Sequence, residues 1–274
     1  MIEAGLAGAL GAAVGLVMGL SGAGGTIIAV PLLVWGLGWS LPQAAPVALL
    51  AVAVGAGIGT VRGLRGQLVR WRAALLIGTV GLVLAPLGLW LAGRLPHETL
   101  SGLFAAVLIW VAGRNLLSAW RGWRDPAALT EAEVLPAVCP LDPETGRFRW
   151  TPRTASIMGG IGAGAGLLSG LLGVGGGFVV LPALMRVSRL PFSQCVATTL
   201  MVLAVISGGT APMALVAGRD FSWLAATPFV IGVTLGLLAG QRLAPRLPLQ
   251  FAQAGLALLA LAIGARFGLE AAGG

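Results

Sequence analysis

The run Gly166-Leu-Leu-Ser-Gly-Leu-Leu-Gly-Val-Gly-Gly-Gly-Phe-Val-Val-Leu-Pro182 has an ungapped counterpart 151 positions upstream, Gly15-Leu-Val-Met-Gly-Leu-Ser-Gly-Ala-Gly-Gly-Thr-Ile-Ile-Ala-Val-Pro31. In both copies an apolar run ends in a glycine cluster and resumes as a short apolar run carrying a proline. This is the sequence form of a helix interrupted inside a membrane, and its recurrence marks a duplicated chain. Gln43 falls on Gln194 at the same offset, and after a shift of one residue Leu95-Pro96 falls on Leu247-Pro248 and Arg114 on Arg266. Each half is therefore a comparable unit.

The composition excludes a soluble globule. Hydrophobic residues make up 57% of the 274 and charged residues only 9%, so there is too little polar surface to cover a core. Mean hydropathy is +0.96. The apolar runs are helix-length and carry Gly and Ala throughout, without the in/out alternation of an outer-membrane barrel. The fold class expected is an all-α polytopic membrane protein. The N-terminus lacks a basic n-region and enters its first hydrophobic run at once, so no cleaved signal peptide is expected.

Ten apolar segments follow: Ile2–Leu20, Thr26–Leu37, Ala44–Val61, Ala73–Leu91, Leu100–Leu117, Ala155–Leu172, Phe178–Val187, Cys195–Ala217, Leu224–Leu243 and Leu249–Arg266. By helical rise the second and seventh reach about 18 Å or less, too short to cross a hydrocarbon core of about 30 Å. They read as half-helices or as arms of re-entrant hairpins.

Net charge is +8, supplied by 17 Arg and no Lys. The Arg residues cluster at segment ends, which positive-inside flanks explain better than nucleic-acid binding. If all ten segments reverse the chain, every Arg except Arg94, Arg219 and Arg266 lies on one side. If each interrupted pair counts as one crossing, the division is less uneven. The first arrangement places both termini outside and, with five segments per half, inverts one half relative to the other. The expected organisation is a first transmembrane repeat over 1–118, a cytoplasmic linker over 119–153 and a second repeat over 154–274. The linker holds Asp125, Glu131, Glu133, Asp142 and Glu144 with a balancing set of Arg and several prolines, and reads as a tether.

The chemistry-bearing residues are few. Ser21, Gly22, Gly24, Gly25 and Thr26 precede one half-helix, and Gly173, Gly175, Gly176 and Gly177 precede the other. Glycines let successive amide N–H groups converge, and the helix that follows adds the positive end of its dipole, so each cluster is a potential cradle for a small anion. The glycines at four-residue spacing, Gly11/Gly15/Gly19, Gly162/Gly166/Gly170 and Gly232/Gly236/Gly240, read instead as helix-packing positions. Gln43, Gln194, Thr198 and Thr199 enter the third and eighth segments as polar groups in need of partners, by helix–helix bonding or by substrate. Pro31 and Pro182 read as kink-formers. Trp71, Trp120, Trp123, Trp150 and Trp223 sit near span ends, as an interfacial belt requires.

Other classes of chemistry find little to use. His97 is the sole histidine, in a short connection beside Glu98, and reads as solvated. Cys139 and Cys195 show no CxxC spacing, so neither a disulfide framework nor a zinc site is expected, and no cofactor or metal is implied. Without Lys there is no P-loop for ATP. No Asp, Glu or Lys falls mid-span, which leaves a carboxylate proton relay unsupported. An enzyme or sulfur-transfer protein would have only Cys195 as its reactive group, in an apolar setting that favours packing.

Gly170-Leu-Leu-Gly-Val-Gly-Gly-Gly-Phe-Val-Val-Leu-Pro182, its partner Gly19-Leu-Ser-Gly-Ala-Gly-Gly-Thr-Ile-Ile-Ala-Val-Pro31 and the two-half layout resemble the sulfite exporter TauE/SafE family over essentially the whole chain. The first copy departs from the family pattern at Thr26, where a hydroxyl replaces the last glycine. The resemblance implies a secondary transporter, not an enzyme. It would move sulfite, sulfoacetate or other organosulfonates outward across the bacterial inner membrane, with lipid and a small anion as partners. An anion-permeable channel of the same fold is the alternative expectation.

Overall fold

A computed structural model describes residues 2–22, 25–124, 139, 148–216 and 223–244, with positions 255, 257, 258, 261–264 and 266. Nine helices are described among them: α1 (Ile2–Ser21), α2 (Gly25–Leu37), α3 (Leu41–Arg65), α4 (Trp71–Ala92), α5 (His97–Arg124), α6 (Pro152–Leu172), α7 (Gly177–Val187), α8 (Phe192–Val216) and α9 (Trp223–Leu243). The tenth apolar segment, Leu249–Arg266, lies largely outside the described residues, and its described positions are helical. Among the described residues six helices are long and apolar enough to cross a membrane, namely α1, α3, α4, α6, α8 and α9. Outward-facing Val83, Leu87, Leu224, Ile231 and Leu235 are more than half exposed, as side chains facing lipid tails are.

Local chemistry sets several helix starts. Ser40 and Gln43 form a capping box on α3, the Ser40 N–H donating to Gln43 Oε1 at 3.0 Å. Thr151 Oγ1 accepts from the Thr154 N–H at 3.1 Å, with Pro152 in the first turn of α6, where its missing donor costs nothing. α5 continues to Arg124, past the boundary expected at Ala119.

The largest helix contacts are α1 against α9 and α4 against α6, followed by α3 against α8. The four-residue glycine stripes explain the first two. Side chains at Gly11, Gly15 and Gly19 would overlap the α9 backbone at Phe229, Val233 and Leu237, and α9 presents Gly232, Gly236 and Gly240 in return. On α6, Gly162, Gly166 and Gly170 likewise meet the α4 backbone at Ile77, Gly81 and Ala85. Only glycine allows two backbones to come this close. Positions rise together in both pairs, so α1 runs parallel to α9 and α4 parallel to α6.

α3 and α8 run antiparallel: Gly63 meets Ala197, Gly59 meets Leu200, and Val52 lies with Leu203 against Gly175. Between them sits an apolar cluster of Met18, Val52, Ala56, Leu200, Leu203 and Leu237. Cys139 and Phe148, from the stretch between the halves, are buried with Leu184, Leu190 and Cys195, and the Cys139 N–H donates to the Val187 carbonyl at 3.1 Å. The stretch is thus docked at these two points at the α7–α8 end.

Candidate functional site

The second glycine cluster forms a buried turn. α6 stops at Leu172, and Gly173 caps it in the left-handed region (φ 70°), its N–H donating to the Ser169 carbonyl at 2.8 Å. Gly175 (φ 73°) and Gly176 (φ 70°) are also left-handed, and α7 then starts at Gly177. Three left-handed residues within four positions demand glycine, because a Cβ is strained there. Among the described residues no backbone carbonyl accepts from the N–H groups of Val174, Gly175 or Gly176. Both the turn and the start of α7 are buried.

A side chain at Gly175 would lie 2.8 Å from Ser207 Oγ, 3.1 Å from Leu203 Cδ2 and 3.2 Å from Val52 Cγ1. The turn therefore faces the seam between α8 and α3. At Gly173 the neighbour is Ala45 at the start of α3.

In the first cluster α1 ends at Ser21, Gly22 is left-handed (φ 80°) with its N–H on the Met18 carbonyl at 2.9 Å, and α2 begins at Gly25. Gly24 lies outside the described residues. Gly22 packs on Val196 of α8, and Val196 stands 151 positions after Ala45, the neighbour of Gly173. Gly25 is buried against Val14 and Met18. Ser21 donates to the Val17 carbonyl at 2.7 Å, and Thr26 is fully buried with a partner of its own.

The remaining polar candidates divide. Gln43 is occupied by the α3 cap. At the opposite end of the α3–α8 seam, Gln194 Oε1 accepts from Arg70 Nη2 at 2.8 Å, and Thr198 Oγ1 accepts from the Arg70 N–H at 3.1 Å. Together they fasten the α3–α4 connection to the start of α8. Thr199 is fully buried, and its hydroxyl has no partner among the described residues.

Three residues stand out in the structure that sequence reasoning passed over. Ser169 and Ser207 are fully buried with hydroxyls that have no partner among the described residues, one in the last turn of α6 and the other against Gly175. Arg70 is the third. Ser207 sits in the middle of a segment read as a span, and that depth was the available signal. Among the described residues no group of His, Cys, Asp and Glu could hold a metal.

The sulfite exporter TauE/SafE family model matches residues 7–267. The chain belongs to this family. It is similar to two probable membrane transporter proteins of Xylella fastidiosa. For strain Temecula1 the identity is 31% over 239 residues, covering 86% of this chain and 83% of the relative. For strain 9a5c it is 31% over 240 residues with the same coverage. No solved structure matches. TauE/SafE proteins are membrane transporters and not enzymes, so this is a multi-pass transporter acting on a small substrate within lipid.

Proposed function

We propose that this TauE/SafE protein is a secondary transporter exporting small sulfur-containing anions, such as sulfite, sulfoacetate or other organosulfonates, across the bacterial inner membrane. It consists of inverted five-segment repeats over 1–118 and 154–274, with 119–153 as a cytoplasmic linker and both termini periplasmic. The anion is held at the two glycine turns by backbone amides.

The observation that carries this reading is the turn at Gly173–Gly177. It is buried, the N–H groups of Val174, Gly175 and Gly176 have no backbone carbonyl partner among the described residues, it opens an eleven-residue helix, and a hydroxyl unpartnered among those residues, Ser207, points at it. The repeat arrangement draws support from the packing. α1 on α9 and α6 on α4 are equivalent contacts under exchange of the halves, as are Gly22 on Val196 and Gly173 on Ala45. Antiparallel α3 and α8 are the equivalent third helices of the two halves, which fits inversion and not a parallel repeat.

The positive-inside count supports the direction. The Arg-rich α3–α4 and α7–α8 connections meet at one end, where Arg70 holds Gln194 and where Cys139 and Phe148 dock. With a negative cell interior, anion exit gains about 2.3 kcal/mol per charge per 100 mV. Export therefore requires no ATP and no carboxylate relay.

The test is substrate counterflow in proteoliposomes, with sulfite and sulfoacetate as probes and Gly175→Val as the variant. Saturable counterflow in the wild type, lost in a Gly175→Val protein that still elutes as a folded species, is the expected result. Conductance far above carrier turnover would make the protein a channel. Equal transport by the variant would remove the turn from the mechanism.

A further inference from the structure

Buried and half-buried helical hydroxyls in this protein normally donate to the carbonyl one turn back: Ser21 to Val17 at 2.7 Å, Thr60 to Ala56 at 2.7 Å, Thr210 to Ile206 at 2.6 Å and Thr234 to Val230 at 2.9 Å. Ser169, Thr199 and Ser207 are fully buried, and among the described residues they make neither this bond nor any other. A buried hydroxyl without a partner is costly, so its retention calls for a ligand or water.

All three lie in the second half. The residues 151 positions earlier are Met18, Ala48 and Ala56, each fully buried and apolar. In the first half the hydroxyls nearest the turn, Ser21 and Thr26, already have partners. The two halves thus differ in lining.

The positions are also ordered along the seam. Val196 meets Gly22 and Ser207 meets Gly175, so Val196, Thr199, Leu203 and Ser207, at three- and four-residue spacing, form a stripe on α8 from the first turn to the second. The equivalent α3 stripe is Ala45, Ala48, Val52 and Ala56, without a single donor. Ser169 adjoins the second turn, since its carbonyl accepts from Gly173, and its counterpart Met18 packs on Gly25 at the first. A molecule between the turns meets hydroxyls only from the second half, interspersed with Val196 and Leu203, and alkyl groups alone from the first half.

We infer that the substrate binds in one orientation. Its oxyanion head lies on the second-half turn, with Ser207 and Ser169 donating, and its apolar body lies against Met18, Val52 and Ala56 of the first half. Ser169 and Ser207 are then specificity-determining residues for a small organic oxyanion whose oxygens are all at one end. An inorganic dianion such as sulfate carries oxygens all round, and those turned toward Met18 and Ala56 lose their hydration with nothing in return. Thr199 stands about 12 Å from Ser207 along α8 by helical rise, outside the head-group contact and on the path to Arg70. This inference rests on the placement of the anion at the glycine turns.

The test uses the full chain in detergent, with affinities for propane-1-sulfonate, methanesulfonate, sulfite and sulfate read from thermal shift titrations. The variants are Ser207→Ala, Ser169→Ala, Ala56→Ser and Gly175→Val. The wild type should prefer propane-1-sulfonate to sulfate by about tenfold or more, and Ser207→Ala should weaken sulfonate binding by about tenfold, the effect of one lost charge-assisted hydrogen bond. Ala56→Ser, which adds a donor to the apolar wall, should narrow the sulfonate-to-sulfate ratio. If Gly175→Val abolishes binding while both serine variants bind as the wild type does, the turn stands and the head-group assignment falls. Equal affinity for sulfate and propane-1-sulfonate overturns the one-orientation inference. A wild type that binds none of the four overturns both readings.

Discussion

Replacing Gly166 with Ala puts a methyl group where α6 touches α4. The ideal Cβ position lies 2.5 Å from Gly81 Cα and 2.6 Å from Gly81 C, whereas unbonded carbons rest at about 3.5–4.0 Å, so the helices must part by about 1 Å. The atoms in the way are backbone and have no rotamer to yield. Overpacking of this kind costs about 1–3 kcal/mol. Gly164→Ala, two residues earlier on the same helix, meets nothing within 4 Å and gains up to about 1 kcal/mol of helix propensity. The two substitutions are chemically identical and share the same propensity gain, so the spread between them should be the overpacking cost, about 1–3 kcal/mol, with Gly166→Ala the less stable. Gly15→Ala should match Gly166→Ala, since its Cβ lies 2.7 Å from both Val233 C and Leu237 N of α9. The assay is unfolding of the detergent-solubilised chain by heat and by SDS titration, with all three variants in parallel. Equal stability of Gly166→Ala and Gly164→Ala would refute the claim that backbone contact, and not glycine content, makes these stripes necessary.

Arg70 and Gln194 should couple: Arg70→Ala and Gln194→Ala are each expected to destabilise by about 1 kcal/mol, with the double variant costing less than their sum, as measured by a double-mutant cycle in SDS unfolding. Cys139 is buried, and burial raises its thiol above its ordinary value of 9.0, against smaller lowering effects of Thr154 and Arg153. The native state therefore favours the neutral thiol, and its contribution to stability is complete below pH 9 and falls as the pH rises beyond it. Unfolding midpoints at pH 7, 9 and 10 should show that decline, and Cys139→Ser should flatten it. Maleimide labelling of Cys139 should be slow in the wild type and faster in Phe148→Ala, which opens the same cluster. Unchanged labelling would show that Phe148 does not hold this stretch in place.

Much of the architecture was legible because it rests on local rules. Nine apolar segments expected from hydropathy correspond to helices whose ends differ by at most about four residues, except that α5 runs on to Arg124, and the four-residue glycine stripes announced backbone contact before any partner was known. Hydropathy and helical periodicity act within a turn or two of chain, so they survive without tertiary context. The assignment of polar residues did not. Gln43 and Gln194 are equivalent in sequence, yet one is spent on its own helix cap and the other on Arg70, 124 positions away. Ser169 and Ser207 look like ordinary helical hydroxyls, which usually satisfy themselves on the preceding turn. Only the packing shows that they do not, and that Ser207 is turned toward Gly175.

The sequence by itself determined that this chain is an all-helical membrane protein of several spans, since burial in lipid leaves its mark on composition and spacing. Which helices touch, and which hydroxyls remain unpaired beside a turn, was decided only by the tertiary structure. Those properties depend on contacts between residues far apart in the chain, and no local pattern encodes a distant partner.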